Sequence, residues 1–317
     1  MIIFKQYLRP TQTQKPSSQT PTPNSIELSE GDLAAISGVG DGRDSVKFNH
    51  NETMVTALEI SEPSVADRGV RSWLELCETD RAYLDRGLET LVQFYEQKEL
   101  ETHPYFEWLR SRPVDLSSIW LLFHNLQHVT GSIVRWLSTT LTRLDDPVIS
   151  CLLVEQLYDE LGNGKPERVH RVLFDRLYQA LTPWKPKAIT TGKIDAFTAS
   201  IPGLKLKQGF ESYYTAQDPH LAVGSLLSGE ICAYKLDQCI HEQMARTQAI
   251  SAHDLTWLTM HLTVEADHAG YSTILARRLD RLGVPRNQVG LMAQAVWEIC
   301  MRFLHEVHEL NLELLSA

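Results

Sequence analysis

The stretch WLTMHLTVEADHAGYSTILARRL, residues 257–279, decides the fold. Its apolar residues recur at three- and four-residue spacing without proline and without strand-like alternation, which is the signature of an amphipathic helix. His261, Glu265 and His268 stand in it at offsets of four and three. On a helix those offsets place the three side chains within about 60° of arc, on one face over two turns. Two imidazoles and a carboxylate on one rigid stripe suit a metal ion of borderline to hard character. A lone histidine on such a face is more often a hydrogen-bonded core residue, so the stripe needs company.

Outward from this stretch the pattern repeats. Residues 65–100, 115–144, 145–164, 165–181, 220–245 and 285–315 carry the same helical spacing. Asp115 or Ser117 can cap one start, and Pro147 opens another. Between 183 and 218 the pattern breaks into PWKPKAITTGKIDAFTASIPGLKLKQGF, residues 183–210. This reads as a connection with short helical pieces and a lid over a site. No run of alternating strands and no internal repeat of fixed period is present. The expected fold is a single all-α bundle of about seven long helices.

Three further residues join the stripe. In EQLYDELGNGKPERVHRVLF, residues 155–174, Glu160 ends one helix and His170 lies in the next, with Gly162 and Gly164 permitting the turn between. Asp159 and Glu160 can equally be a solvated helix end, and His170 a surface residue. In AVGSLLSGEICAY, residues 222–234, Glu230 sits among Leu226, Leu227, Ile231 and Cys232. There it either faces water or is compensated by a cation, because an unpaired carboxylate in apolar surroundings is costly. Gly229 beside it would let another group approach the helix closely. Three imidazoles and three carboxylates exceed what zinc needs and suit two irons bridged by carboxylate.

The order Glu, ten residues to His, a helical Glu, then His-x-x-x-Asp/Glu-x-x-His resembles the haem-oxygenase-like diiron oxidases and oxygenases. DELGNGKPERVH, residues 159–170, resembles that family's segment between its first carboxylate and first histidine. The similarity runs over roughly residues 70–315. It implies a haem-oxygenase-like helical fold, with Glu160, His170, Glu230, His261, Glu265 and His268 as iron ligands. It also implies two iron ions as cofactor and O2 as co-substrate. The chemistry it implies is oxidative: C–H desaturation, oxidative C–C cleavage or decarboxylation, or N-oxygenation, on an aliphatic amino acid, an amine or a fatty acid. The amino acid is the first expectation, because Lys185, Lys187, Lys193, Lys205 and Lys207 could meet a substrate carboxylate. Where the family more often has Asp, this chain has the longer Glu265. The extra carboxylate that some members carry on an earlier helix has no clear counterpart here. His124 and His128, one turn apart, could stand behind metal ligands but read as core and surface residues, and His305 and His308 lie on an amphipathic terminal helix with solvated charges.

Two readings from other classes remain. One is a metal-free helical binding or regulatory protein with structural histidines. The other is a thiaminase-like hydrolase, for which Cys232 is the candidate nucleophile. Bulk properties narrow the classes further. A net charge of −10 offers no basic stripe for nucleic acid. Five scattered cysteines without a CxxC pair argue against a zinc knuckle and for reduced thiols in the cytoplasm. No apolar run approaches the ~20 residues a membrane span requires, and MIIFKQYLRP is too short and polar for a signal peptide. Residues 9–25, rich in Pro, Ser, Thr and Gln, read as disordered. The expected division is a disordered or extended tail over 1–62 and the helical domain over 63–317. An exposed face on the first long helix would suit a homodimer.

Overall fold

The structure, a computed structural model, describes residues 82–316. The tail expected over 1–62, and the start of the helical run at 65–81, lie outside the described residues. Eleven α-helices connected by turns and short 3-10 segments make up the described chain, with no strand among the described residues. In order they are α1 (Leu88–Gln97), α2 (Pro104–Arg110), α3 (Leu116–Thr130), α4 (Ile133–Leu141), α5 (Pro147–Glu160) and α6 (His170–Leu181). They continue as α7 (Lys187–Thr190), α8 (Ile201–Tyr214), α9 (Pro219–Ala245), α10 (Thr256–Leu282) and α11 (Arg286–Ser316).

The all-α bundle read from the sequence is therefore the architecture, with more and shorter helices than the seven expected. Residues 115–144 break into α3 and α4 at Gly131 and Ser132, both weak helix formers. The 183–218 connection contains a full helix, α8. Leu206, Phe210 and Tyr214 fall four apart on its buried face, and Pro202 occupies its first turn. Lys205 and Lys207, on either side of Leu206, obscure that period in the sequence.

Aspartates start three of the helices. Asp115 accepts from the Ser117 backbone N–H at 3.0 Å and opens α3. An Asp–Pro pair opens both α5 and α9. Asp146 accepts from Val148 and Ile149 N–H, and Asp218 accepts from His220 N–H at 2.8 Å. Each cap contributes about 1 kcal/mol.

α9 packs along both α10 and α11, and α10 also touches α1, α5 and α6. Fully buried Phe123, Phe174, Leu227, Ile240 and Leu258 fill the space between these helices. Each such side chain contributes about 1.5–3 kcal/mol by leaving water. α8 lies against α3 and α11, and side-chain hydrogen bonds fasten its start to α3. The amide of Asn125, fully buried, donates to the carbonyls of Leu121 (2.9 Å) and Ala199 (3.0 Å) and accepts from Gly203 N–H (2.8 Å). A second tie runs from Ser200 Oγ to His124 Nε2 at 2.9 Å. α8 is thus a fixed wall of the bundle. No helix of the described residues is long and apolar enough to cross a membrane.

Candidate metal centre

Glu160 is the last residue of α5, and the chain turns back at once through Gly162, Asn163 and Gly164, at φ of 74°, 56° and 74°. A side chain at Gly162 would come within 2.5 Å of Lys165 O and the Arg168 carbonyl carbon and 2.6 Å of Val169 N. Only glycine allows this fold-back, which seats His170 at the head of α6 beside Glu160. Both residues are buried, and His170 Nδ1 lies 3.2 Å from Glu160 Oε2.

His261 comes to the same point from α10. Its Nε2 is 3.1 Å from His170 Nδ1. Trp257, one turn earlier, lies against the imidazole with ring centroids 4.1 Å apart, and is itself edge-on to Phe123 and Phe174. Two turns further along α10, His268 places Nδ1 3.8 Å from Glu230 Oε2 on α9. Five of the six residues expected from the sequence therefore gather as two groups. One is Glu160, His170 and His261; the other is Glu230 and His268. Glu265 sits on α10 between the two histidines, and its side chain lies outside the described residues.

Both groups open onto one cavity of about 120 Å³. Its wall is mainly apolar and includes Leu126, Ile133 and Leu137 from α3 and α4, Leu206 and Phe210 from α8, and Phe303 from α11. Gly229 works as its position suggests. The group that closes on it is the Tyr214 hydroxyl, which a side chain at 229 would displace. None of the five lysines of 183–207 lines the cavity. Lys205 pairs with Glu306 on the surface, and Lys185 lies over the Trp120 ring.

Among the described residues, no three His, Cys, Asp or Glu side chains already stand closed around one centre. The donors face one another instead, and their spacing fits a shared ion. Two donors bound at right angles at about 2.1 Å stand about 3 Å apart, close to the separations at His170 Nδ1. Without a cation, two facing ring nitrogens can be satisfied only if one carries a proton. His170 Nε2 is buried with no hydrogen-bond partner, at a cost of about 1–3 kcal/mol. Imidazole and carboxylate donors without thiolate favour iron or manganese over softer ions.

Two acids not expected among the site residues complete the arrangement. Asp237 Oδ2 lies 2.9 Å from His261 Nδ1, and Asp159 Oδ2 lies 3.3 Å from His268 Nε2. The hydrogen bond from His268 holds the Asp159 carboxyl below the usual carboxylate range, helped by Asn163. Asp159 is therefore more than the solvated helix end its sequence allows. Asp237 could have been found from its offset of seven after Glu230, which returns it to the same helix face.

Other candidates fall away. His124 hydrogen-bonds Tyr178 Oη at 2.7 Å and stacks on Trp120, fixing α3 to its neighbours. His128 and His305 do not line the cavity, and His308 packs against Trp108. The Cys232 thiol is pushed well up by its contact with Cys300 and by burial. A nucleophilic hydrolase needs the opposite shift.

A family model described as iron-containing redox enzyme matches residues 121–299, more than half of the chain and every candidate ligand. The protein belongs to the iron-containing redox enzymes. That membership bears out the haem-oxygenase-like reading of the fold and makes the chain an iron-dependent oxidoreductase. None of the curated proteins compared with the chain matches it.

Proposed function

We propose that this iron-containing redox enzyme is a non-haem diiron oxidase or oxygenase that uses O2 to attack an aliphatic substrate. The observation that carries the reading is the pair of donor groups opening onto one apolar cavity. Glu160, His170 and His261 would hold one iron, and Glu230 and His268 the other, with Glu265 completing the set. Bound iron supplies one-electron redox chemistry and a place for O2 to be reduced.

The chain's own residues supply the rest. Leucine, isoleucine and phenylalanine side chains exclude water from the cavity and hold an alkyl chain beside the metal ligands. Four polar atoms of lining residues are buried without a hydrogen-bond partner: Thr130 Oγ1, Gln156 Oε1, Trp257 Nε1 and His170 Nε2. Such atoms gain most from a ligand that satisfies them. A substrate with an apolar body and a small polar end matches this wall.

Among the described lining residues there is no Lys or Arg. The lysine-bound amino acid expected from residues 183–207 therefore loses its support. A free amino acid or a fatty acid can accept from Trp257 Nε1–H, and an aliphatic amine, whose N–H can donate to the unpartnered Gln156 Oε1, stands beside them. The reaction types that suit the amine are desaturation beside the nitrogen and N-oxygenation. The test is O2 consumption by anaerobically Fe(II)-loaded protein over matched series of amines, amino acids and fatty acids. O2 uptake stimulated by any of these series, with an oxidised product, supports the proposal. Uptake that no aliphatic compound stimulates overturns it.

A further inference from the structure

An imidazole binds a metal through one nitrogen, and only if that nitrogen is free of its proton. The partner of the other nitrogen decides which one it is. His261 has Nδ1 at 2.9 Å from Asp237 Oδ2 and Nε2 on the opposite side, toward His170 and Glu160. His268 is turned the other way: Nε2 faces Asp159 Oδ2 at 3.3 Å, and Nδ1 faces Glu230. In each ring a carboxylate faces the nitrogen on the side away from the ligand group.

The geometry points to Asp237 and Asp159 as positioning residues that fix opposite tautomers, so that His261 presents Nε2 to iron and His268 presents Nδ1. This rests on the diiron reading above. The placement recurs: the helices that supply Glu160 and Glu230 each also supply the acid behind one histidine of α10. On α9, Asp237 follows Glu230 by two turns and is buried. On α5, Asp159 directly precedes Glu160, and its Oδ1 accepts from Asn163 Nδ2 at 3.0 Å. The turn that seats His170 therefore also orients the acid behind His268. Among the described residues His170 has no such acid, and its Nε2 is unpartnered. The pattern is thus particular to the two histidines of α10.

An acid behind a ligand raises the basicity of the ring and holds it in the binding orientation. Its loss typically costs about 10–100-fold in metal affinity. An acid that was itself a ligand would, when removed, lower the number of metals bound. That difference separates the two roles.

The test has two arms. In metal-free protein, nitrogen-15 NMR of the histidine rings reads the tautomers directly. The inference expects Nδ1–H on His261 and Nε2–H on His268, and either ring in the reverse tautomer overturns it. This arm needs no variant and no iron. In the second arm, Co(II) is titrated anaerobically into wild type and into Asp237→Leu, Asp237→Asn, Asp159→Leu and Asp159→Asn, with thermal melts as a check on folding. The Leu variants are expected to lose about 10–100-fold in Co(II) affinity at unchanged stoichiometry. The Asn variants, which keep an acceptor for the ring N–H, are expected to recover part of the loss and the wild-type visible bands. Unchanged affinity in the Leu variants, or a lost Co(II), overturns the role. Wild type binding a single Co(II) with the predicted tautomers would sink the two-metal reading and leave the tautomer assignment standing.

Discussion

Replacing Gly162 by Ala tests whether the turn after α5 builds the metal centre. Gly162 and Gly164 share a φ of 74°, so Ala at either position takes on the same left-handed backbone, at about 1–2 kcal/mol. Either substitution also stiffens the unfolded chain, which offsets about 0.4–1 kcal/mol. The surroundings differ. At 164 the nearest atom to a new Cβ is Tyr158 Oη at 3.7 Å, an ordinary contact, whereas at 162 three backbone atoms lie at 2.5–2.6 Å. Backbone cannot swing aside, so the loop must open, at about 1–3 kcal/mol by analogy with overpacked cores. The two backbone costs cancel between the variants. Gly162→Ala is therefore expected to be less stable than Gly164→Ala by about 1–3 kcal/mol. Urea unfolding of both metal-free proteins measures the difference. Opening the loop also separates Glu160 from His170, so Fe(II) affinity is expected to fall about tenfold or more in Gly162→Ala and little in Gly164→Ala. Equal stabilities and equal iron affinities would refute the role given to this turn.

Other consequences follow from single side chains. Asn125→Ala leaves the Ala199 carbonyl and the Gly203 N–H without partners in the interior, and is expected to cost about 2–4 kcal/mol, visible as a lowered melting temperature. In acid, Asp146 gives a signed effect: its hydrogen bond from Arg278 and its cap on α5 hold its carboxyl below the usual range. Its contribution is complete above the unfolded value of about 3.9 and fades as pH falls through the lower folded value. The stability gap between wild type and Asp146→Asn should therefore narrow as pH drops from about 5 to 3, as urea midpoints at each pH would record. For the thiols, burial pushes Cys239 up to about 12 and Cys232 is raised by Cys300, whereas Cys151 is exposed. In a Cys77→Ser background at pH 8, iodoacetamide is expected to label Cys151 quickly, with Cys232 and Cys239 inert until the protein unfolds.

The helical class was legible because it rests on a period that needs no partner: apolar residues three and four apart specify a helix wherever they occur. The stripe of His261 and His268 was legible for the same reason, both residues being on one helix. Glu160 and His170 could be paired only because the glycines between them announce a reversal. What the sequence hid were relations between helices. Asp237 and Asp159 carry no local mark of a partner on α10, and α8 was masked by the lysines that flank Leu206 in the sequence. The lysines also suggested a carboxylate site, because charge is visible in a sequence and the direction a side chain takes is not.

The two donor groups are proposed to hold two irons. Anaerobic Fe(II) titration, read as iron bound per folded chain, tests this proposal most directly. About two irons are expected in wild type, and about one when Glu230 and His268 are both replaced by Ala. One iron in wild type, or an unchanged count in the double variant, would contradict it.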